Sequence, residues 1–436
     1  MEKWKKVRIG EFLKESKQDA INSDASRRIT VRLNCRGVEQ RRLKAEKDGA
    51  TKYYIRHAGQ FIYGKQNIHK GAFGIIPNEL DGFTSSADLP AFDFINDLCF
   101  PEFLNLWFQL GERYKELQKN IKGAGSQRLA VSVFLDEEIN LPDLPTQKKI
   151  VKKISANLKR VNELAKEIES QKGYVKQLRQ NILQDAIEGK LTADWRKEHP
   201  VQKGNPDYDA EALFDQIRKE LKNDKKQKSL PPISEEEKPF KLPESWKWVR
   251  LGEVCNSITD GDHFPPPKES FGIPFVVISD VSSGKINFKN ERFVSKEYFY
   301  KLPSEKMPQD GDILYTVTGS YGIPVVVNSF QFCVQRHIGI IKPFHPTKDF
   351  LFFSLMSPIC KKQADAVAWG VAVKTIPIKE LRNFIIPLPP VSEQKEIVNT
   401  VTVMLDKVAQ LERQIQERKV LAEKLVFGII KESLEE

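Results

Sequence analysis

Cysteine is scarce and scattered in this 436-residue chain. Cys35, Cys99, Cys255, Cys333 and Cys360 are odd in number and far apart, so neither a disulfide framework nor a zinc-ligand spacing is visible. A reduced, cytoplasmic setting is the expectation. No stretch of 18 apolar residues occurs, and the start, MEKWKKVRIGEF, lacks the apolar run of a signal peptide. Catalytic apparatus is lacking as well. There is no GxxxxGK[ST] phosphate loop, no HExxH and no CxxC pair. The glycine clusters Thr318-Gly-Ser-Tyr-Gly322 and Gly370-Val-Ala-Val-Lys-Thr375 have the spacing of turns, not of a nucleotide site. Pro265-Pro266-Pro267 does not fit the Pro-Pro-Tyr or Pro-Pro-Phe pocket of an adenine methyltransferase. None of the six histidines sits in a pair with ligand spacing, and no Ser/His/Asp set stands out. The chain therefore reads as non-enzymatic, with no cofactor or metal site of its own.

What is present is length, charge and repetition. A chain of this length with 40% hydrophobic residues builds two or three cores. The formal charge of +10 favours a polyanionic partner, and its distribution says more. Residues 1–56 hold 16 Lys and Arg against 8 Asp and Glu, among them Arg27, Arg28, Arg32, Arg36, Arg41 and Arg42. Such a local excess suits a face that contacts phosphates.

The segment Trp4-Lys-Lys-Val-Arg-Ile-Gly-Glu11 matches Trp246-Lys-Trp-Val-Arg-Leu-Gly-Glu253 at six of eight positions, 242 residues apart. A second match runs from Leu141-Pro142 and Leu388-Pro389 through Gln147-Lys148 and Gln394-Lys395 to Ile150-Val151 and Ile397-Val398, at one 247-residue offset. Two matched segments in the same order indicate a duplication. Beyond them, Leu158, Val161, Leu164, Ile168, Leu178 and Ile182 repeat as Leu405, Val408, Leu411, Ile415, Leu425 and Ile429, an apolar stripe at steps of three and four on a helix. Pro142 and Pro145 precede the first helix and Gly189 comes after it; Pro389, Pro390 and a potential N-cap, Ser392, precede the second. Each spans roughly 40 residues, about 60 Å. A wet stripe of that length calls for a partner helix, which the other copy supplies; packing of each helix on its own globular domain is the alternative. Both stripes lapse at the same place, Gln171-Lys172 and Arg418-Lys419, as a shared polar layer would.

The globular segments, 1–141 and 246–388, carry short β-like runs such as Phe275-Val-Val-Ile278, Asp312-Ile-Leu-Tyr315 and Val325-Val-Val327 between Gly, Pro and Asp turns, and read as mixed α/β domains. Residues 193–245 read as a short helix, Asp209 to Leu221, and then a charged, Pro-rich solvated linker. The spacer helices are placed at 142–192 and 389–436.

Over essentially its whole length the chain resembles the specificity subunit of type I restriction-modification systems. The signature is Ile386-Pro-Leu-Pro-Pro-Val-Ser-Glu-Gln394 running into a long helix, with a weaker copy at Asn140-Leu-Pro-Asp-Leu-Pro-Thr-Gln147. Pro308-Gln-Asp-Gly-Asp-Ile-Leu314 and Asp260-Gly-Asp-His-Phe-Pro265 are typical of its recognition domains. The first domain departs, with Gly59-Gln-Phe-Ile-Tyr63 in place of Gly-Asp-Ile-Leu, so the two domains are expected to read different half-sites. The resemblance implies two target-recognition domains held apart by two long antiparallel helices in a pseudo-two-fold arrangement, with a split, asymmetric DNA target at fixed spacing. It implies double-stranded DNA as ligand and two adenine-methylating modification subunits as partners. Through these, two restriction subunits join in the family, and S-adenosylmethionine, ATP and Mg2+ belong to the partners. The outer helix faces, with Lys148, Lys152, Lys159, Lys166, Lys395, Arg413 and Lys419, are candidate docking surfaces.

Base readout needs paired donors and acceptors. In the first domain Lys65, Gln66, Asn67, His69 and Lys70 are the candidates for bases, with Arg32, Arg36, Arg41 and Arg42 on phosphates. Ser126, Gln127 and Arg128 come after Gly123-Ala-Gly125 in a further loop. In the second domain the candidates are Thr318, Ser320, Tyr321, Arg336, Lys374 and Thr375; Asp262 and His263 read equally well as the cap of a turn. A helical scaffold with peptide- or RNA-binding domains remains the rival reading.

Overall fold

The computed structural model describes residues 4–21, 24–42, 52–121, 128–221, 230–263, 266–288, 292–328 and 331–435. The chain divides into two compact units: Met1–Glu169 with Gln416–Glu436, and Ser170–Ile415. Both are mixed α/β, and each joins a sheet-bearing globular part to portions of the two long helices, Leu144–Ile187 and Val391–Glu435.

In the first unit the central sheet has four antiparallel strands in the order Leu13–Ser16, Ala91–Phe94, Phe61–Tyr63 and Phe73–Ile75. Phe61-Ile-Tyr63 is apolar without alternation because both faces of this strand are covered. Phe61, Tyr63, Phe73 and Phe92 pack with Phe108 and Phe134 in a cluster of rings 4.6–6.2 Å apart. Each buried ring contributes about 1.5–3 kcal/mol of transfer free energy.

In the second unit a four-stranded antiparallel sheet runs Cys255–Asp260, Ile338–Pro343, Ile313–Thr316, Pro324–Val326. A smaller mixed sheet pairs Ile273–Val276 antiparallel to Phe293–Val294 and parallel to Cys333–Val334. Of the run Phe275-Val-Val-Ile278, only Phe275 and Val276 are strand; Ile278 opens a helical turn.

The repeated segments do the same job in both copies. Lys5–Arg8 pairs antiparallel with Glu138–Leu141, and Lys247–Arg250 with Ile385–Leu388. Val7 faces Ile139, and Val249 faces Ile386, so the entry and exit of each globular part are zipped together where the long helix begins. Gln147 is wholly buried there: its amide donates to the carbonyls of Leu98 and Pro142 (2.8 and 2.9 Å) and accepts from the Phe100 N–H. Gln394 donates to the Pro389 carbonyl at 2.7 Å. The proline-to-glutamine signature is thus a buried brace for carbonyls at the helix start. Asp143 caps the first helix, accepting from the Thr146 N–H. Ser392 does not cap the second; the helix opens at Val391, and the Pro390 carbonyl takes the first helical bond, from Gln394. Gly189 ends the first helix at φ +71°, where a Cβ would press on Pro243 and Trp246 at about 3 Å.

The helices are 44 and 45 residues long, about 66 Å at 1.5 Å per residue. Their buried positions agree with the expected stripe at Val161, Ile168, Ile182, Val408 and Ile415 and depart from it elsewhere, while the Ile429 side chain lies outside the described residues. Buried positions recur at a strict interval of seven, Ile154, Val161, Ile168, Val175 and Ile182 on the first and Val401, Val408, Ile415 and Ala422 on the second, with Ile154 packed in the first unit's globular core. That is a coiled-coil period, whose narrow seam leaves Leu164, Leu178, Leu411 and Leu425 exposed. Gln171-Lys172 and Arg418-Lys419 fall between positions of this period, and Gln171 and Lys172 are half-buried. Within the second unit Arg179 pairs with Glu412 at 3.0 Å, while Thr192, just past the first helix, bonds Glu393 at the start of the second. The two helices are therefore antiparallel there. Glu393 is buried, accepting from the Thr192 hydroxyl and the Trp246 indole N–H (2.7 Å each) and from Arg196.

The short helix spans Ala210–Leu221, with Asp209 accepting from the Glu211 N–H. Asp224 to Lys228 of the expected linker lie outside the described residues. Pro231 and Pro232 are exposed, yet their carbonyls are held by the buried Arg250 guanidinium, which also pairs with Glu237.

Candidate nucleic-acid interface

In the first unit Ile29–Val31 and Val38–Gln40 form a hairpin whose tip, Asn34-Cys35, has positive φ at both residues (58° and 56°). The tip is bonded to a second loop: the Asn34 N–H donates to the Lys70 carbonyl (2.8 Å) and the Cys35 N–H to the Gly71 carbonyl (2.9 Å). That second loop, Gly64 to Ala72, joins two strands of the central sheet and holds Lys65, Gln66, Asn67, His69 and Lys70. Its other end is anchored too, because the Lys65 N–H donates to the Asp88 carbonyl and the Leu129 N–H to the Lys65 carbonyl. Arg128 pairs with Asp88 at 3.2 Å. Thus the segments that carry Arg36, Lys65–Lys70 and Arg128 are tied to one another through their backbones.

Their side chains are not equivalent. Arg36, Arg41, Arg42, Gln66 and Lys70 are exposed, and Lys65 and Asn67 are half-buried. Arg32 is paired with Glu39, Nε to Oε1 at 2.7 Å, which reduces its availability to a phosphate. His69 is half-buried; burial, aided by Lys70, lowers its pKa, so the ring is neutral near pH 7. Its Nδ1 is buried without a hydrogen-bond partner among the described residues. Ser126 and Gln127 lie outside the described residues.

The sequence reading missed a cleft of about 540 Å³ beside this loop, lined by Lys17, Tyr54, Arg56, Lys65 and Arg128 among others. Arg56 is buried and donates to Ser85 Oγ and the carbonyls of Ser16 and Leu89, all neutral acceptors. Burial pulls its pKa down to about 10, which still leaves it charged.

In the second unit Thr318, Arg336, Lys374 and Thr375 converge. The Thr318 and Thr375 hydroxyls are 3.3 Å apart, the Gly319 N–H donates to the Lys374 carbonyl, and His337 Nδ1 lies 3.1 Å from Thr318 Oγ1. His337, which sequence reasoning missed, has a lowered pKa from burial and from Arg336. Arg336, Ser320 and Lys374 are exposed. Tyr321 is turned to other work: its hydroxyl donates to Asp365 (2.8 Å), and the Lys361 ammonium sits 4.4 Å from its ring centroid. Asp262 accepts from the Tyr298 hydroxyl at 2.7 Å and His263 lies 3.3 Å from Asp260, so both brace turns.

The phrase Pro308 to Leu314 is also a brace. Gly311 has φ +83°, and buried Asp312 accepts from the Gln309 N–H (2.8 Å) and from Lys342 (2.6 Å). Desolvation raises the Asp312 pKa against the opposing pull of Lys342. The first unit solves the same turn differently: Gly59 has φ +83°, and buried Gln60 accepts from the His57 N–H while donating to Asp93. Glutamine with an aspartate replaces aspartate with a lysine.

Two α/β units, each presenting exposed cations and amide or hydroxyl side chains on loops fastened to a sheet, define a class of paired binding modules on long helices. Among the described residues no group of three or more His, Cys, Asp or Glu is placed to hold a metal ion, and no helix is long and apolar enough to cross a membrane. A profile of the type I restriction modification DNA specificity domain matches residues 1–171 and 243–418. The chain belongs to that family. It is similar to the EcoBI specificity subunit of Escherichia coli, 24% identical over 320 residues, covering 72% of this chain and 61% of that one. To the MjaVIII specificity subunit of Methanocaldococcus jannaschii it is 24% identical over 340 residues, covering 75% and 69%. The match spans 47% of the EcoEI specificity subunit of Escherichia coli, at 26% identity and 62% of this chain. Among solved structures, one described as showing complex assembly and conformational transition of the type I R-M system aligns at TM-score 0.67, with 21% identity and 99% and 98% of the two chains covered. The HsdS subunit from Thermoanaerobacter tengcongensis aligns at 0.55, with 20% identity and 99% and 96% covered. These share the fold.

Proposed function

We propose that this chain is the DNA-sequence-reading subunit of a type I restriction-modification complex and is itself non-catalytic. The observation that carries the reading is the fastening of two exposed, cation-bearing loops of the first unit to each other through Asn34, Cys35, Lys70 and Gly71. Base readout requires such pre-positioned side chains, whereas phosphates are met by any exposed cation. Lys65, Gln66, Asn67, His69 and Lys70 read one half-site, with Arg36, Arg41 and Arg42 on the backbone, Arg32 after release from Glu39, and Ser126, Gln127 and Arg128 at the margin. Thr318, Ser320, Arg336, Lys374 and Thr375 read the other, with Tyr321 positioning its loop. Because the two sets differ in chemistry, the target is two dissimilar half-sites. The long helices set the distance between them and dock two modification subunits, which supply S-adenosylmethionine-dependent adenine methylation, and restriction subunits supply ATP- and Mg2+-dependent cleavage. The complex works in the cytoplasm.

The test is to co-express the chain with its modification subunit and map methylated adenines by long-read sequencing. The paired change Gln66→Ala and Asn67→Ala is expected to alter one half of the methylated sequence and leave assembly intact. An unchanged methylation pattern rules out the assignment of that loop.

A further inference from the structure

The second unit carries an apolar feature that its core does not use. Trp369 and Thr375 pair in both directions, N–H to carbonyl at 3.1 and 2.8 Å, closing a short hairpin over Gly370 to Lys374. Gly370 has φ +122°, and a Cβ there would lie 2.3 Å from the Val373 carbonyl oxygen, so the hairpin is tightly folded. Its base is held by the Thr318–Thr375 bridge and by the Ile376 N–H to the Val317 carbonyl at 2.8 Å. The tip is nonetheless apolar and in water: Trp369 is 67% exposed, Val371 107% and Val373 57%.

The surroundings say what covers it. Exposed Lys374 is on the hairpin itself, exposed Arg336 adjoins His337, which contacts Thr318, and the hydroxyls of Thr318 and Thr375 lie at the hairpin's foot. An apolar tip set among cations and hydroxyls matches the major groove, where phosphates flank base edges and the thymine C5 methyl is the apolar feature. The first copy differs at the same offset: Gly123 falls opposite Gly370, and Lys122, Ala124, Ser126 and Gln127 stand at the positions of Trp369, Val371, Val373 and Lys374.

We propose that the Trp369–Thr375 hairpin enters the major groove of the half-site read by the second domain, and that Val371 and Val373 select thymine through its methyl group. This rests on the DNA-reading function proposed above and adds to it the base that this hairpin prefers.

The experiment uses the full chain, alone and with its modification subunits, and a duplex carrying the mapped target. A second duplex has deoxyuridine for thymine in one half-site, which keeps every hydrogen-bonding group and removes only the methyl. Loss of one buried methyl corresponds to about a fourfold loss of affinity. The wild-type chain is expected to show that loss for deoxyuridine in the second domain's half-site. The V371A/V373S variant, bearing the residues of the first copy, is expected to bind the thymine duplex more weakly and to discriminate no longer. Deoxyuridine in the other half-site should act alike on both chains. Wild-type indifference to the methyl, or discrimination retained in the variant, overturns the proposal. So does a variant that binds DNA normally but no longer assembles, which would make the hairpin a protein contact. Absence of any salt-sensitive duplex binding by the wild-type complex would instead refute the DNA-reading function itself.

Discussion

Gly71 is the junction at which the first unit's two candidate reading loops meet, and replacing it tests whether their joining matters for recognition. Gly71 has φ +77°, and a Cβ there would lie 2.7 Å from the Cys35 nitrogen, 3.0 Å from its Sγ and 3.1 Å from the Asn34 Cα. Gly37, in the hairpin that carries Asn34 and Cys35, has φ +81° with nothing within 4 Å of its Cβ position. Both alanine variants therefore carry the left-handed backbone penalty, about 1–2 kcal/mol. Only Gly71→Ala also pushes on backbone, and relief requires parting the Asn34–Lys70 and Cys35–Gly71 hydrogen bonds, each contributing about 1 kcal/mol. The difference of about 2 kcal/mol is about 30-fold in affinity, if binding needs the joined state. Fluorescence anisotropy on a duplex bearing the target, at one fixed salt concentration, should place Gly71→Ala about 30-fold weaker than Gly37→Ala. Agreement of the two variants within threefold would refute the argument that the junction pre-positions the reading residues.

Two further expectations concern the helices. Glu393→Ala removes a buried carboxylate and strands Arg196, the Thr192 hydroxyl and the Trp246 indole N–H, so it should destabilise the second unit by about 3–5 kcal/mol. Urea unfolding monitored by hydrogen exchange would show this, and a loss below 1 kcal/mol would mean the cluster is unimportant. Inserting seven residues before Ile168 and seven before Ile415 preserves the heptad seam and adds about 10 Å of helix, or about three base pairs at 3.4 Å each. The mapped gap between half-sites should lengthen accordingly; an unchanged gap disproves the spacer function.

Much of this architecture was legible because the chain contains two versions of itself. The matched segments, legible as a repeat, are in the structure the zipped strands Lys5–Arg8 with Glu138–Leu141 and Lys247–Arg250 with Ile385–Leu388 and the buried Gln147 and Gln394. The stripe was legible only in part, for a physical reason. Leucines at steps of three and four mark an apolar side, but only a strict period of seven keeps a residue on the contact line of a supercoiled helix. That period was present in matched positions, Ile154 with Val401 and Val175 with Ala422, and would have excluded the exposed Leu164 and Leu411. Arg56 and His337 left no local signal, since what singles them out is burial supplied by segments distant in sequence.

The loops divided along the same line. Gly59 and Gly311 share one backbone conformation, and the next residue in each copy is buried and satisfies the turn, Gln60 with Asp93 or Asp312 with Lys342. A family phrase that looks functional by recurrence is here a structural one, because a buried turn admits few solutions. The loops that carry Gln66 and Lys70, or Ser320 and Lys374, leave those side chains exposed while their backbones are tied, by Lys65 to Asp88 and by Gly319 to Lys374. Fixing the backbone while freeing the side chain lets two copies of one scaffold present different chemistry, which is the physical basis for expecting two dissimilar half-sites.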